Sequence, residues 1–349
     1  MENYSKSEFA ILKKIKKPLE IKELRLPEPS KNQLLVKIKY TYVCGTQLNE
    51  INGKKGFDPY LPHTLGHEAS GEVLKTGNNV KDFKKRDKVI LSWIRKNTSD
   101  DKNPSYLDLK GRKINSGQVS TFSKLTLVAK SRVYKVPKKL PLDIAALFGC
   151  AIPTGFGMVL KYINKINKEN YVGVYGAGGV GLMSIIALKS KGIKNIYAID
   201  KNKKNLNLAK QFGCKKTYNL NNIKDKKKFE SEIKKEKITC NIEISGNEKM
   251  MKASFENLSH NGTCIVAGNP KKGQEIKINP YDLIFGKKIY GFSGNDVSLE
   301  KNIKNYYKLI NKVNFSKLRK IYKNYTFKNI NKAINDFNNG KILRPIIKF

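Results

Sequence analysis

From Gln33 to Tyr42 the chain alternates apolar and polar residues, Q-L-L-V-K-I-K-Y-T-Y, the period of a half-buried strand. Short apolar runs at 71–75 and 88–93, parted by the turn-forming G-N-N and K-K-R-D, predict two more strands. Further strands are predicted over 121–129 and 132–136. The polar stretch 97–117 between them reads as a long surface excursion. After Pro141 the rhythm changes. Strands are predicted at Tyr171–Tyr175, 195–200, 239–245, 263–267 and 288–292, with helices at 180–190, 203–212 and 249–258. Such alternation predicts an α/β fold, a doubly wound parallel sheet with helices on both faces. The tail returns to helices and ends in R-P-I-I-K-F, a strand expected to rejoin the β-rich first part. The domains predicted are therefore 1–150, 151–292 and a return over 293–349.

A length of 349 residues fits two domains better than one. No apolar stretch approaches membrane-spanning length, and the short run F-A-I-L at 9–12 is too brief for a signal-peptide core. The five cysteines are scattered, odd in number and without a C-x-x-C pair, which speaks for a cytoplasmic chain rather than a disulfide scaffold. Cys214, Cys240 and Cys264 sit in apolar runs and read as small buried hydrophobes. The net charge of +40 invites a nucleic-acid partner, yet only seven of the 69 basic residues are arginine. Base readout and bidentate phosphate contact favour arginine, and the lysines are spread along the whole chain, so nucleic acid is the lesser reading.

Two motifs carry chemistry. The run G-A-G-G-V-G holds Gly176, Gly178, Gly179, Val180 and Gly181 between a predicted strand and a predicted helix. Its three spaced glycines allow a tight turn, close approach to a pyrophosphate and tight helix packing. Asp200, closing the next strand, is placed to accept the ribose hydroxyls and to repel a 2′-phosphate, so NAD is expected over NADP. Upstream, Cys44 lies in V-C-G-T, His67 in L-G-H-E-A-S-G and Cys150 in G-C-A-I-P-T-G. Two thiolates and an imidazole can hold zinc with one position open for substrate. An open Lewis acid together with a dinucleotide site predicts redox chemistry on an alcohol or carbonyl. His63 and His260 are left as ordinary residues, with approach to the metal site the alternative for His63.

With G-H-E-A-S-G-E-V, G-C-A-I-P-T-G and G-A-G-G-V-G in this order, nearly the whole chain resembles the zinc-containing medium-chain alcohol/polyol dehydrogenases. The resemblance implies a GroES-like β-rich catalytic domain into which a Rossmann NAD-binding domain is inserted. It implies Cys44, His67 and Cys150 as the zinc ligands, with Glu68 able to approach the metal. It also implies Thr46 as the hydroxyl that takes the substrate proton, Trp93 in the substrate pocket, Thr154 and Val180 at the nicotinamide, and Arg344 at the pyrophosphate. A homodimer or homotetramer is the implied assembly.

Three departures stand out. The stretch 97–117 lacks the four cysteines of a structural zinc, so one zinc ion per subunit is expected. Gln47 replaces an aspartate that supports the ligand histidine, and Asn49 replaces a relay histidine found in some members. The cationic surface favours a sugar or polyol substrate; Trp93 favours a simple aliphatic or aromatic alcohol as the alternative.

Overall fold

In the computed structural model, which describes residues 5–98, 102–166, 169, 171–233 and 235–349, the chain folds as two units. The first comprises Met1–Cys150, Ser298–Tyr307 and Phe315–Phe349; the second comprises Ala151–Val297 and Lys308–Asn314.

The first unit is built around Gln33–Tyr42, where the predicted alternation appears as a strand. Leu34, Val36 and Ile38 are fully buried on one face, against Ala69, Val73, Val89 and Leu91. Two neighbours fix the later chemistry. Glu68–Thr76 pairs antiparallel with Gln33–Tyr42, and Lys88–Ser92 pairs with Glu68–Thr76. On the other side the tail strand Arg344–Lys348 pairs antiparallel with Gln33–Tyr42, Ile346 opposite Tyr42. The last residues of the chain thus lie beside the segment entering Cys44.

A closed barrel completes this unit, and here the sequence reading needs correction. Its strands are Ser5–Leu12, Glu20–Leu26, Ser105–Asp108, Lys113–Asn115 and His63–Thr64. The stretch 97–117 is therefore not simply a surface excursion, although its residues 99–101 lie outside the described ones. Ser105–Asp108 and Lys113–Asn115 form a hairpin whose Tyr106 is fully buried, its ring tilted against that of Phe9 at 4.6 Å between centroids. Asp108 closes its turn by accepting the Lys110 and Arg112 N–H groups, both at 2.9 Å. The strand predicted over 121–129 begins at Leu125, and Tyr322–Thr326 is a tail strand that the apolar pattern does not announce.

The second unit holds one six-stranded parallel sheet. Its order is Lys216–Tyr218, Ile196–Ile199, Tyr171–Tyr175, Ile238–Glu243, Thr263–Val266, Lys288–Gly291. By position in this unit the order is 3-2-1-4-5-6, reversing at Tyr171–Tyr175, where dinucleotides bind in such sheets. That strand is buried on both faces, and Gly179–Ser190 follows it as a largely buried helix. Both units match the expected α/β architecture, a parallel doubly wound sheet interrupting a β-rich domain.

Candidate active site

The residues that the resemblance implies as metal ligands come together in the first unit. Ligand atoms of Cys44, His67, Glu68 and Cys150 all lie within 4.8 Å of one another. Cys44 caps the short helix Gly45–Ile51 with extended backbone, directly after the strand Gln33–Tyr42. His67 and Glu68 open the strand Glu68–Thr76. Cys150 ends a 3-10 turn packed on that strand, and Gly149 makes the packing possible. A Cβ on Gly149 would meet Leu91 O at 2.4 Å and Glu68 Cα at 2.7 Å. The Gly149 carbonyl accepts the Ser92 hydroxyl at 2.7 Å, which fixes the turn.

The electrostatics suit a metal. Contact with Cys150 and His67 holds the Cys44 thiol well below its ordinary range, although burial opposes this. The same contact, with burial, pushes Cys150 well above it. His67, which burial alone would hold down, is raised by its contact with Cys44. Among the described residues His67 Nε2 is buried with no hydrogen-bond partner. An unserved imidazole nitrogen beside a thiolate–thiol pair is the donor set a zinc ion takes: two sulfurs and one nitrogen.

Gln47 supports both ends of this set. Its Oε1 accepts the Cys44 N–H at 3.0 Å, and its amide nitrogen lies in hydrogen-bond contact with His67 Nδ1. An amide nitrogen only donates, so in this side-chain orientation Nδ1 accepts. Ligation through Nε2 requires the reverse, a proton on Nδ1 facing an acceptor. Gln47 must then turn its oxygen to His67 and release the Cys44 N–H.

Behind the ligands, Glu68 is fully buried and its Oε1 pairs with Arg344 Nη2. Burial pushes the Glu68 carboxyl above the ordinary carboxylate range, against the pull of Arg344. Arg344 itself is 2% exposed, with its guanidinium 4.9 Å from the Tyr42 ring centroid. Arg344, which the resemblance puts at the pyrophosphate, is thus paired with the Glu68 carboxylate on the buried tail strand. Thr46 Oγ1 lies 3.8 Å from Cys44 Sγ. Trp93 is half-buried; among the described residues its indole N–H has no partner, and its carbonyl accepts Arg132.

The second unit holds the glycine-rich loop. Gly176 has φ of +97°, and a Cβ there would meet Ser245 N at 2.8 Å. Gly178 caps the helix Gly179–Ser190, with nothing within 4 Å of where its Cβ would stand. That open space before a helix N-terminus is the arrangement a phosphate-binding loop needs. A Cβ on Gly181 would lie 1.9 Å from Gly176 O, so its absence sets the close packing. Asp200 Oδ2 accepts the Ala177 N–H at 2.8 Å, tying the carboxylate to the loop. Val180 lies half-buried on that helix, and Thr154 half-buried on Ala151–Tyr162.

Comparison with known proteins turns this geometry into a family. Residues 30–138 match the model of the alcohol dehydrogenase GroES-like domain, and residues 179–312 that of zinc-binding dehydrogenases. An S-(hydroxymethyl)glutathione dehydrogenase of Saccharomyces cerevisiae is 32% identical over 95% of this chain and 94% of its own length. The chain belongs to the medium-chain zinc alcohol dehydrogenase family.

An alcohol dehydrogenase class-3 of Drosophila melanogaster is 30% identical, with 97% of each chain covered. Among solved structures, the benzyl alcohol dehydrogenase of Acinetobacter calcoaceticus superposes with a TM-score of 0.86 at 28% identity over 99% of both chains. An alcohol dehydrogenase zinc-binding domain protein from Burkholderia ambifaria superposes at 0.89, 25% identical, covering 99% of this chain and 100% of its own. As a zinc alcohol dehydrogenase, the protein is an oxidoreductase of CH–OH donors that uses zinc and NAD. Among the described residues no single helix is long and apolar enough to cross a membrane. The remaining cysteines behave as small hydrophobes: Cys214, Cys240 and Cys264 are buried, and burial pushes Cys214 and Cys264 up to about 12. Two features of this dehydrogenase were not read from its sequence, the clearance at Gly149 and the Glu68–Arg344 pair. The glycine before the ligand cysteine was a signal in plain view.

Proposed function

We propose that this enzyme oxidises a primary alcohol to its aldehyde, with NAD preferred over NADP and one catalytic zinc held by Cys44, His67 and Cys150. The buried, unserved His67 Nε2 beside two interacting thiols is the observation that carries this reading. Zinc held there would supply a Lewis acid that makes an alcohol proton easier to remove. Thr46, beside Cys44, is the hydroxyl positioned to take that proton, since a hydroxyl both accepts and donates. Asn49 offers no ionisable relay, so the proton leaves through water. Glu68 stays on Arg344 and keeps a carboxylate oxygen close to the ligand set. A bound nicotinamide would supply the hydride acceptor; Trp93 would line the alcohol, and Thr154 and Val180 are the residues of the second unit that would hold the nicotinamide.

The relatives named for S-(hydroxymethyl)glutathione and benzyl alcohol favour a primary alcohol over the sugar or polyol suggested by surface charge. Asp200, anchored on Ala177 N–H, supports NAD, because a 2′-phosphate would meet its charge. No cysteines in 97–117 supply a four-thiolate structural zinc. A homodimer is supported by the sheet edge Lys288–Gly291, where Ile289 is 38% exposed and the neighbouring Ile284 and Phe285 are 75% and 51% exposed. Thiols outside any disulfide support a cytoplasmic setting. The test is turnover, read by cofactor absorbance, with benzyl alcohol, S-(hydroxymethyl)glutathione and sorbitol, each with NAD and NADP. Asp200→Ser is expected to narrow the NAD preference in kcat/KM by at least about tenfold. An unchanged ratio would remove Asp200 from cofactor choice.

A further inference from the structure

A second group of ligand-type side chains stands apart from the catalytic set. Glu50 from the helix Gly45–Ile51, Asp58 from the following loop and His63 from the strand His63–Thr64 bring ligand atoms within 4.8 Å of one another. His63 Nε2 lies 2.9 Å from Asp58 Oδ2 and 3.7 Å from Glu50 Oε1. His63 is only 7% exposed.

The outer atom of each residue is already engaged. His63 Nδ1 lies 3.0 Å from the Thr64 carbonyl, which only accepts, so Nδ1 carries a proton and donates it. Tyr60 N–H donates to Asp58 Oδ1 at 3.0 Å. Lys55 donates to Glu50 Oε2 at 2.8 Å. With Nδ1 donating, a neutral His63 leaves the three inner atoms, Nε2, Oδ2 and Oε1, as acceptors facing one another, Nε2 within hydrogen-bond distance of Oδ2. A proton on Nε2 would reach Asp58, but it would leave Glu50 Oε1 outside hydrogen-bond range at 3.7 Å. A cation at the centre serves all three. Tetrahedral ligation with bonds of about 2.0–2.1 Å sets ligand atoms roughly 3.3 Å apart, between the two separations found. An imidazole whose other nitrogen donates to a backbone carbonyl, and carboxylates held by their outer oxygens, are the support that metal ligands receive.

We propose that Glu50, Asp58 and His63 bind a divalent cation of the zinc class, a site distinct from Cys44, His67 and Cys150. The imidazole favours zinc over magnesium or calcium. The site uses no cysteine, so an expectation of one zinc per subunit, reached by counting cysteines, misses it. Its place in the fold gives it a use. It ties the loop before His63 to the helix that carries Thr46 and Gln47, stapling the segment between two catalytic ligands.

Zinc is counted per chain in full-length protein loaded with zinc alone and then dialysed. Wild type is expected to hold two equivalents, while Asp58→Asn and His63→Ala each hold one. Cys44→Ser should also hold one, and Cys44→Ser/His63→Ala none, so the two sites are told apart whatever becomes of the catalytic reading. Chelator competition in excess zinc, before dialysis, is expected to show the second equivalent bound by Asp58→Asn, which keeps the side-chain shape, at least about tenfold more weakly than by wild type. A single equivalent in wild type that disappears in Cys44→Ser would overturn the proposal and leave a protonated His63–Asp58 pair. Two equivalents undiminished in both Asp58→Asn and His63→Ala would overturn it equally.

Discussion

Gly149→Ala isolates the geometric requirement of the metal site. The residue precedes a ligand, lies outside the left-handed φ region and bears no functional group, so alanine adds one methyl and no backbone strain. That methyl would lie 2.4 Å from Leu91 O and 2.7 Å from Glu68 Cα and Cβ, whereas such contacts are not found below 3.0 Å. The turn bearing Cys150 must therefore withdraw by about 0.6 Å from the strand that follows His67, since close-packed backbone on the other side cannot yield. Zinc–ligand distances tolerate about 0.2 Å. The displacement is roughly three times that tolerance, and a misplacement approaching 1 Å at a reacting centre costs on the order of a hundredfold. Zinc affinity by chelator competition and kcat/KM for benzyl alcohol with NAD are both expected to fall by tenfold or more, while a circular dichroism melt in excess zinc reports that the fold persists. Wild-type zinc affinity and turnover in Gly149→Ala would refute the claim that this clearance sets the site.

Gln47→Asp offers an acceptor to both His67 Nδ1–H and Cys44 N–H, where the amide serves only one. Zinc affinity by chelator competition is expected to rise about tenfold, and a weaker or unchanged site would argue against the amide reorientation. In the second unit, burial pushes the fully buried Glu243 carboxyl up to about 7, although Ser245 N–H donates to its Oε1 at 2.7 Å. The folded state therefore holds a proton that the unfolded chain releases near pH 4.5. This contribution is whole below that pH and is lost as pH rises through about 7, amounting to about 3 kcal/mol. Glu243→Gln should flatten the pH dependence of the denaturation midpoint over that window, whereas an unchanged slope would place the proton elsewhere.

How much could be read beforehand follows from where each signal resides. Gln33–Tyr42 and Tyr171–Tyr175 were legible because each carries its whole period locally. The hairpin at Ser105–Asp108 and Lys113–Asn115 was not. Its inward residues, Tyr106 and Ile114, are too few to show a period, and its strands exist only because Glu20–Leu26 and His63–Thr64 lie alongside. The same division runs through the site. Cys44, His67, Cys150 and the glycines 176, 178 and 181 announce themselves through immediate neighbours. The Glu68–Arg344 pair joins residues 276 positions apart, and no local pattern encodes it. Gln47 stands out in the sequence as a departure, but its double engagement depends on the helix turn that brings it to both Cys44 and His67.

The central claim is that Cys44, His67 and Cys150 hold the zinc on which hydride transfer to NAD depends. The direct measurement is zinc per chain together with NAD reduction by benzyl alcohol and S-(hydroxymethyl)glutathione, in wild type and Cys44→Ser. Wild type is expected to reduce NAD, and Cys44→Ser to lose one zinc equivalent and the activity together. Retention of either in Cys44→Ser would contradict the claim.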